Sequence, residues 1–200
     1  MLHQIYQVGR LIQYAYHEAE LDLWDGQTIF SGKPIALEAP SASFMLTWEM
    51  ITALQRKGVK IVSLLHAAGI SSTGEATLDS LLPFPEQYWI PEQTAAVINQ
   101  ATAENRRIIA LGTSVTRALE SAAINQKVQV GHGTATLILS PTYERKIVTG
   151  LITGMHDAGT SHLQLLQSFV PKQLIDKAYE TAKQLNYLWH EYGDSCLIFA

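Results

Sequence analysis

The sequence predicts an α/β domain with a largely parallel, helix-covered sheet, layered in the Rossmann-like manner. Two observations lead there. Short apolar or β-branched runs, "VKIVSLL" at 59–65 and "RIIALG" at 107–112 among them, alternate with stretches whose apolar residues recur at helical spacing, as in βαβ units. Glycine, proline and hydroxyl residues mark the changes of rhythm, where helix starts and stops belong.

The elements follow in order. Residues 1–30 are aromatic-rich and weakly periodic, with Tyr6, Tyr14, Tyr16 and Trp24 in need of partners, and are set apart from an α/β unit over 31–200. "KPIALEA" (33–39) reads as a short strand with Pro34 at its beginning. Phe44, Trp48, Ile51 and Leu54 then keep helical spacing up to Arg56-Lys57-Gly58, basic residues in a last turn with a glycine just past it. The strand 59–65 ends at His66. A long loop fills 66–90, a length that is usually functional or conceals short elements. Pro91 suits a helix start, and that helix runs to Asn105. After 107–112 comes a helix over 114–125, then strands at 134–139 and 146–152 around the turn "SPTYER". Helices at 161–169 and 171–185 and a closing strand "SCLIF" complete the chain.

Composition narrows the function. With 47% apolar and 16% charged residues the chain can build an ordinary core. A net charge of −4 gives no global sign of nucleic-acid binding, although 14 Lys and Arg suffice for a local patch. The single cysteine, Cys196, excludes an internal disulfide framework and a multi-cysteine metal site. No signal-peptide pattern opens the chain and no apolar run reaches bilayer length, so the expectation is a cytoplasmic protein without membrane contact.

In open α/β sheets ligands bind beyond the carboxyl ends of the strands. The residues there are Pro40-Ser41, His66, Gly112-Thr113-Ser114, and 153–160 with His156; if the last strand runs antiparallel, Tyr192-Gly193-Asp194 joins them. A helix beginning at Thr113 or Ser114 offers unpaired N–H groups to an anion, Gly112 permits close approach, and Arg117 adds a bidentate donor. Equally, Thr113 or Ser114 can simply cap the helix, with Arg117 paired to Glu120 or Glu104. His66 and His156 sit where acid–base histidines can sit, though strand-end histidines are often structural. Asp194 suits catalysis or a turn. Trp89 and Tyr88 can stack on a base or lie buried. His156 and His162, six apart, match no common metal spacing, and no metal site is expected.

Several stretches in one order carry a resemblance. "APSASFML" (39–46), "LLHAAG", "GTSVTRALES", "TGMHDAGTSHLQLL" and "YGDSCLIF" resemble the corresponding motifs of the S-adenosylmethionine:tRNA ribosyltransferase-isomerase family of queuosine biosynthesis. In that family, for example, the third reads Gly-Thr-Thr-Ser-Val-Arg-Ser-Leu-Glu-Ser. The similarity covers residues 9–199. It implies transfer and isomerisation of the ribosyl part of S-adenosylmethionine onto 7-aminomethyl-7-deazaguanine in tRNA, giving epoxyqueuosine. S-adenosylmethionine is then a substrate, with no permanently bound cofactor. Mapped onto this chain, the resemblance implies His66, His156 and Asp194 as catalytic residues. It implies Pro40, Ser41, Gly112, Thr113, Ser114, Arg117, Glu120, Ser161 and Tyr192 as substrate-binding ones. Family members also carry an N-terminal portion with a small β-barrel, expected to be absent here, so an oligomer or a separate domain is an expected partner. Where the family has a first-motif histidine this chain has Met45, and "FPEQYW" (84–89) replaces a His-x-Glu-Tyr region. The weighed alternative is a non-catalytic nucleotide- or partner-binding paralogue that keeps the pocket.

Overall fold

The computed structural model describes residues 2–13, 19–189 and 192–200, without the side chains of residues 2, 5 and 6. Tyr14, Tyr16 and the Tyr6 side chain therefore lie outside the described residues; Trp24 is 84% exposed. Helix α1 is Leu2–Val8 and α2 is Trp48–Arg56. Thr47 caps α2, its hydroxyl accepting from the Met50 amide. Gly58, at φ +79°, ends it, with Gly58 N–H bonded to Gln55 O and Val59 N–H to Leu54 O, the paired bonds of a Schellman stop. Strand β1 (Leu65–His66), the short helix α3 (Ala76–Asp79) and strand β2 (Glu86–Ile90) follow. Then come α4 (Glu92–Ala103), β3 (Ile109–Leu111) and α5 (Thr113–Ser121). The strands β4 (Ala123–Ile124) and β5 (Lys127–Val128) form a hairpin. Asn125 and Gln126 take positive φ at its tip, as a two-residue primed turn requires. The chain closes with β6 (Gly131–Ala135), β7 (Gly150–Gly154), α6 (Ser161–Gln167), α7 (Lys172–Gln184) and β8 (Ser195–Phe199).

The α/β composition agrees with the sequence reading; the largely parallel, Rossmann-like sheet does not. Among the described residues, one pairing is parallel, β3 with β7. The strands form two three-stranded sheets, β1-β2-β6 and β3-β7-β8, beside the β4-β5 hairpin. β2 is antiparallel to both its neighbours, and β8 is antiparallel to β7. Alternation of strand and helix constrains the order of elements but not which strand pairs with which, and here β1 turns to β2 rather than to β3. The segment 33–39 forms no strand; Leu37 N–H makes one backbone bond, to Ala68 O. Of the run 59–65, only Leu65 is in a strand.

What survives is the arrangement that matters for a site. Because β3 and β7 run parallel, Leu111-Gly112 and Gly154-Met155 leave the sheet at one edge, and Gly112 N–H extends the ladder to Ile152 O. Antiparallel β8 begins there, Ser195 opposite Gly154. Between the sheets lies α5, which buries Thr116, Arg117, Ala118, Leu119 and Glu120, so it faces protein nearly all round. Its Leu119 joins a core with Ile90, Ile98, Val148, Leu151 and Leu166. No helix among the described residues is long and apolar enough to cross a membrane.

Candidate functional site

A crevice of about 1320 Å³ opens between the two sheets. Pro40, Ser41, His66, Gly112, Thr113, Ser114, Arg117, His156 and Ser161 all line it; Glu120, Tyr192 and Asp194 do not. Nine residues from separate segments of the chain thus line one crevice.

Gly112 leads into α5 at φ +98° and ψ 151°, a backbone region that disfavours any side chain. A glycine in this position has no oxygen with which to cap the helix. The amides of Thr113, Ser114 and Val115 therefore begin α5 without a capping side chain, at the positive end of its dipole. Thr160 does cap α6, accepting from Leu163 N–H, which puts Ser161 in the first turn at the far wall. Pro40 begins a short 3-10 turn, Ser41–Ser43, whose Ser43 hydroxyl is tied to Pro40 O and Thr28 Oγ1.

Arg117 lines the crevice but is not a free anion donor. It is 5% exposed. Nε donates to Leu137 O at 2.9 Å, Nη2 to Phe84 O at 2.8 Å and Ala135 O at 2.9 Å, and Nη1 to the Glu86 carboxylate. Neither Glu120 nor Glu104 is its partner. The bonds to Glu86 and Ala135 cross from α5 to β2 and β6, so the guanidinium ties the β1-β2-β6 sheet to α5. Burial pulls its pKa below the usual value while Glu86 supports its charge.

Glu86 is the residue sequence reasoning missed. Its Oε1 accepts from Gly69 N–H at 2.6 Å, and its Oε2 meets both Arg117 and, at 3.4 Å, His66 Nε2. The only signal was a carboxylate inside the apolar run "FPEQYWI", a residue type that needs a partner if buried. The His66 side chain is 5% exposed, and neither ring nitrogen has a hydrogen-bond partner in the protein. Burial lowers its pKa; Glu86 opposes that shift and Arg117 adds to it.

His156 is held differently. Its Nε2 lies 2.8 Å from Thr153 Oγ1, its amide donates to the Tyr179 hydroxyl, and its ring stacks on His162 at 4.9 Å. Burial pushes the Tyr179 phenol to about 12, so it stays protonated. Trp89 stacks near His132 at 6.1 Å, and Lys33 Nζ sits 5.6 Å from its ring centre.

Glu120 and Asp194, which lie outside the crevice lining, are both tied to the protein itself. Glu120 is 2% exposed, and its oxygens accept from the amides of Lys146, Ile147 and Val148 and from Tyr143 OH. It anchors the chain entering β7. Asp194 is exposed and closes a turn, Oδ2 accepting from Leu188 N–H at 2.7 Å while its own amide donates to Leu188 O. Gly193 is forced there, since a Cβ would come within 2.6 Å of Leu188 O. Tyr192 packs on Phe44 at 4.7 Å, beside the first motif. Among the described residues, no three His, Cys, Asp or Glu side chains converge as metal ligands.

Fold and crevice together define an α/β protein in which the uncapped start of a helix and two histidines line one crevice. Comparison with known proteins is more particular. The chain belongs to the family described as queuosine biosynthesis protein, which it matches over residues 1–198. It is 35% identical over 199 residues to the S-adenosylmethionine:tRNA ribosyltransferase-isomerase of Syntrophotalea carbinolica, covering 96% of this chain and 58% of that protein. The enzyme of the same name from Thermus thermophilus is 32% identical, with 96% of this chain and 56% of that one covered. The crystal structure of S-adenosylmethionine tRNA ribosyltransferase from Thermotoga maritima superposes with a TM-score of 0.66 at 27% identity, over 78% of this chain and 51% of that one. The chain thus spans little more than half the length of the curated relatives it matches.

Proposed function

We propose that this chain carries the S-adenosylmethionine crevice of a tRNA ribosyltransferase-isomerase. In this reading the ribosyl part of S-adenosylmethionine passes to 7-aminomethyl-7-deazaguanine in tRNA, adenine and methionine leave, and epoxyqueuosine results. One observation carries the assignment: the uncapped amides of α5, His66 and His156 line a single crevice although they lie in three separate family-like motifs. The α5 amides suit the methionine carboxylate or a phosphate. His66, kept neutral by burial, suits removal of the acidic proton beside the sulfonium, since a base must be unprotonated to act. His156, oriented by Thr153, suits proton delivery to departing adenine. S-adenosylmethionine enters as a substrate, and no resident cofactor is called on. The net charge of −4 provides no general attraction for tRNA, so RNA contact rests on local groups. The test is adenine release from S-adenosylmethionine with precursor tRNA. Release that disappears in His66→Asn supports the reading; none from the folded chain, even with a full-length relative's N-terminal portion added, refutes it. Met45, in place of the family histidine, favours one second reading, a binding paralogue without turnover. S-adenosylmethionine bound at the crevice with no adenine formed would establish that instead.

A further inference from the structure

Three side chains from three elements meet at one carboxylate oxygen: Arg117 of α5 and His66 of β1 both approach Oε2 of Glu86 in β2. The other oxygen, Oε1, is held by the Gly69 amide, so the carboxylate cannot rotate without breaking a bond to α5 or to the loop after β1. Such rigidity is more than an ion pair needs. A single Arg–Glu bridge would use the second oxygen for a bidentate contact; here the geometry leaves Oε2 shared between a permanent cation and a group that can gain a charge. His66 approaches at 3.4 Å, an ion-pair distance that is long for a hydrogen bond.

We propose that Glu86 is a positioning residue for His66: it turns Nε2 of the imidazole toward itself, leaves Nδ1 to accept a proton, and tightens onto Nε2–H once the ring is charged. The inference rests on the reading of His66 as the proton acceptor, and it deepens that reading. Without Glu86, a proton placed on His66 would have no opposite charge beside it, with Arg117 close at hand. With Glu86 present, the imidazolium forms against a carboxylate already oriented to receive it, so little reorganisation accompanies proton transfer. The second-layer carboxylate also fixes which ring nitrogen carries the hydrogen. Arg117 completes the device by balancing the buried carboxylate while His66 is neutral. The charged groups facing the imidazole are Glu86 and Arg117. Tyr88, opposite His66 across the β1–β2 ladder, has its pKa raised by burial and stays neutral.

The test uses the full chain with Glu86→Gln and Glu86→Asp, and reads the His66 ring by NMR, its signals identified by their loss in His66→Asn. Removing the carboxylate charge leaves burial and Arg117, both of which lower the His66 pKa. Glu86→Gln is therefore expected to lower it by about one unit and to mix the two neutral tautomers, with a smaller shift in Glu86→Asp. If turnover is measured, the acidic limb of kcat/KM moves to lower pH by the same amount, kcat falls, and KM stays within about two-fold, since Glu86 makes no substrate contact in this scheme. A purely structural Glu86 would lower the Tm and leave the titration in place. Unchanged pKa and tautomer in folded Glu86→Gln overturns the proposal; should that variant not fold, an unchanged titration in Glu86→Asp does so. A shifted titration with an unmoved kinetic limb sustains the Glu86–His66 coupling and removes His66 from the reaction, so the two readings fail separately.

Discussion

Replacing Arg117 with alanine separates a structural strut from a ligand donor. The side chain is 5% exposed and donates to the Phe84, Ala135 and Leu137 carbonyls as well as to Glu86. Its loss strands a mostly buried carboxylate and three carbonyls. Breaking a buried ion pair by removing one partner costs about 3–5 kcal/mol. In a chain of 200 residues, each kcal/mol moves the midpoint by roughly 2–4 °C, so the Tm should fall by about 6–20 °C. Arg117→Lys should recover little, because an ammonium cannot span the fork of acceptors that a guanidinium reaches. Thermal unfolding followed by circular dichroism measures the effect. A fall of less than about 2 °C, with loss of ligand binding, would refute the argument and return Arg117 to the role of anion donor.

The remaining predictions concern His66 and Asp194. Because burial depresses the His66 pKa in the folded state, its contribution to stability is present above the unfolded value near 6.5 and is lost as pH falls through the folded value. Chemical denaturation between pH 7.5 and pH 5 should therefore show a slope, at most about 1.4 kcal/mol per pH unit from this group, that is missing in His66→Asn; equal slopes would contradict the buried neutral imidazole. Asp194→Asn should leave kcat within about three-fold and lower stability by about 1 kcal/mol, the usual worth of one hydrogen bond at a turn. A far larger loss of turnover in a folded variant would restore Asp194 to the reaction.

How much the sequence revealed varied with the range of the interaction that decides each feature. "SCLIF" coincides with β8, Pro91 with the start of α4, and Gly58 with the stop of α2, because caps, glycines and β-branched runs act within a few residues. The crevice was also legible in part: Gly112, Ser114 and His156 were gathered by the strand-end rule and line it because β3 and β7 are parallel, whereas Pro40, Ser41 and His66 line it although no strand forms at 33–39 and β1 is antiparallel. Pairing was not legible. β2 lay inside what read as a loop, and its partners β1 and β6 are fixed by contacts across 20 to 50 residues that no local pattern records. Arg117 shows the consequence. Its partners Phe84 and Glu86 stand 33 and 31 positions earlier in the chain, so local spacing suggested Glu120 instead. Glu120 itself sits in the same helix with a different task, binding the 146–148 amides.

The central claim is that the bare N-terminus of α5 binds the anionic end of S-adenosylmethionine. Thr113→Pro tests it with little disturbance, because proline is accepted in the first position of a helix and removes only that residue's N–H. Isothermal titration with S-adenosylmethionine should show binding to the unaltered chain and about 10- to 150-fold weaker binding to the variant, the loss of one hydrogen bond to a charged group, with the Tm nearly unchanged. Equal affinity in both proteins, or binding to neither while both are folded, would contradict the account.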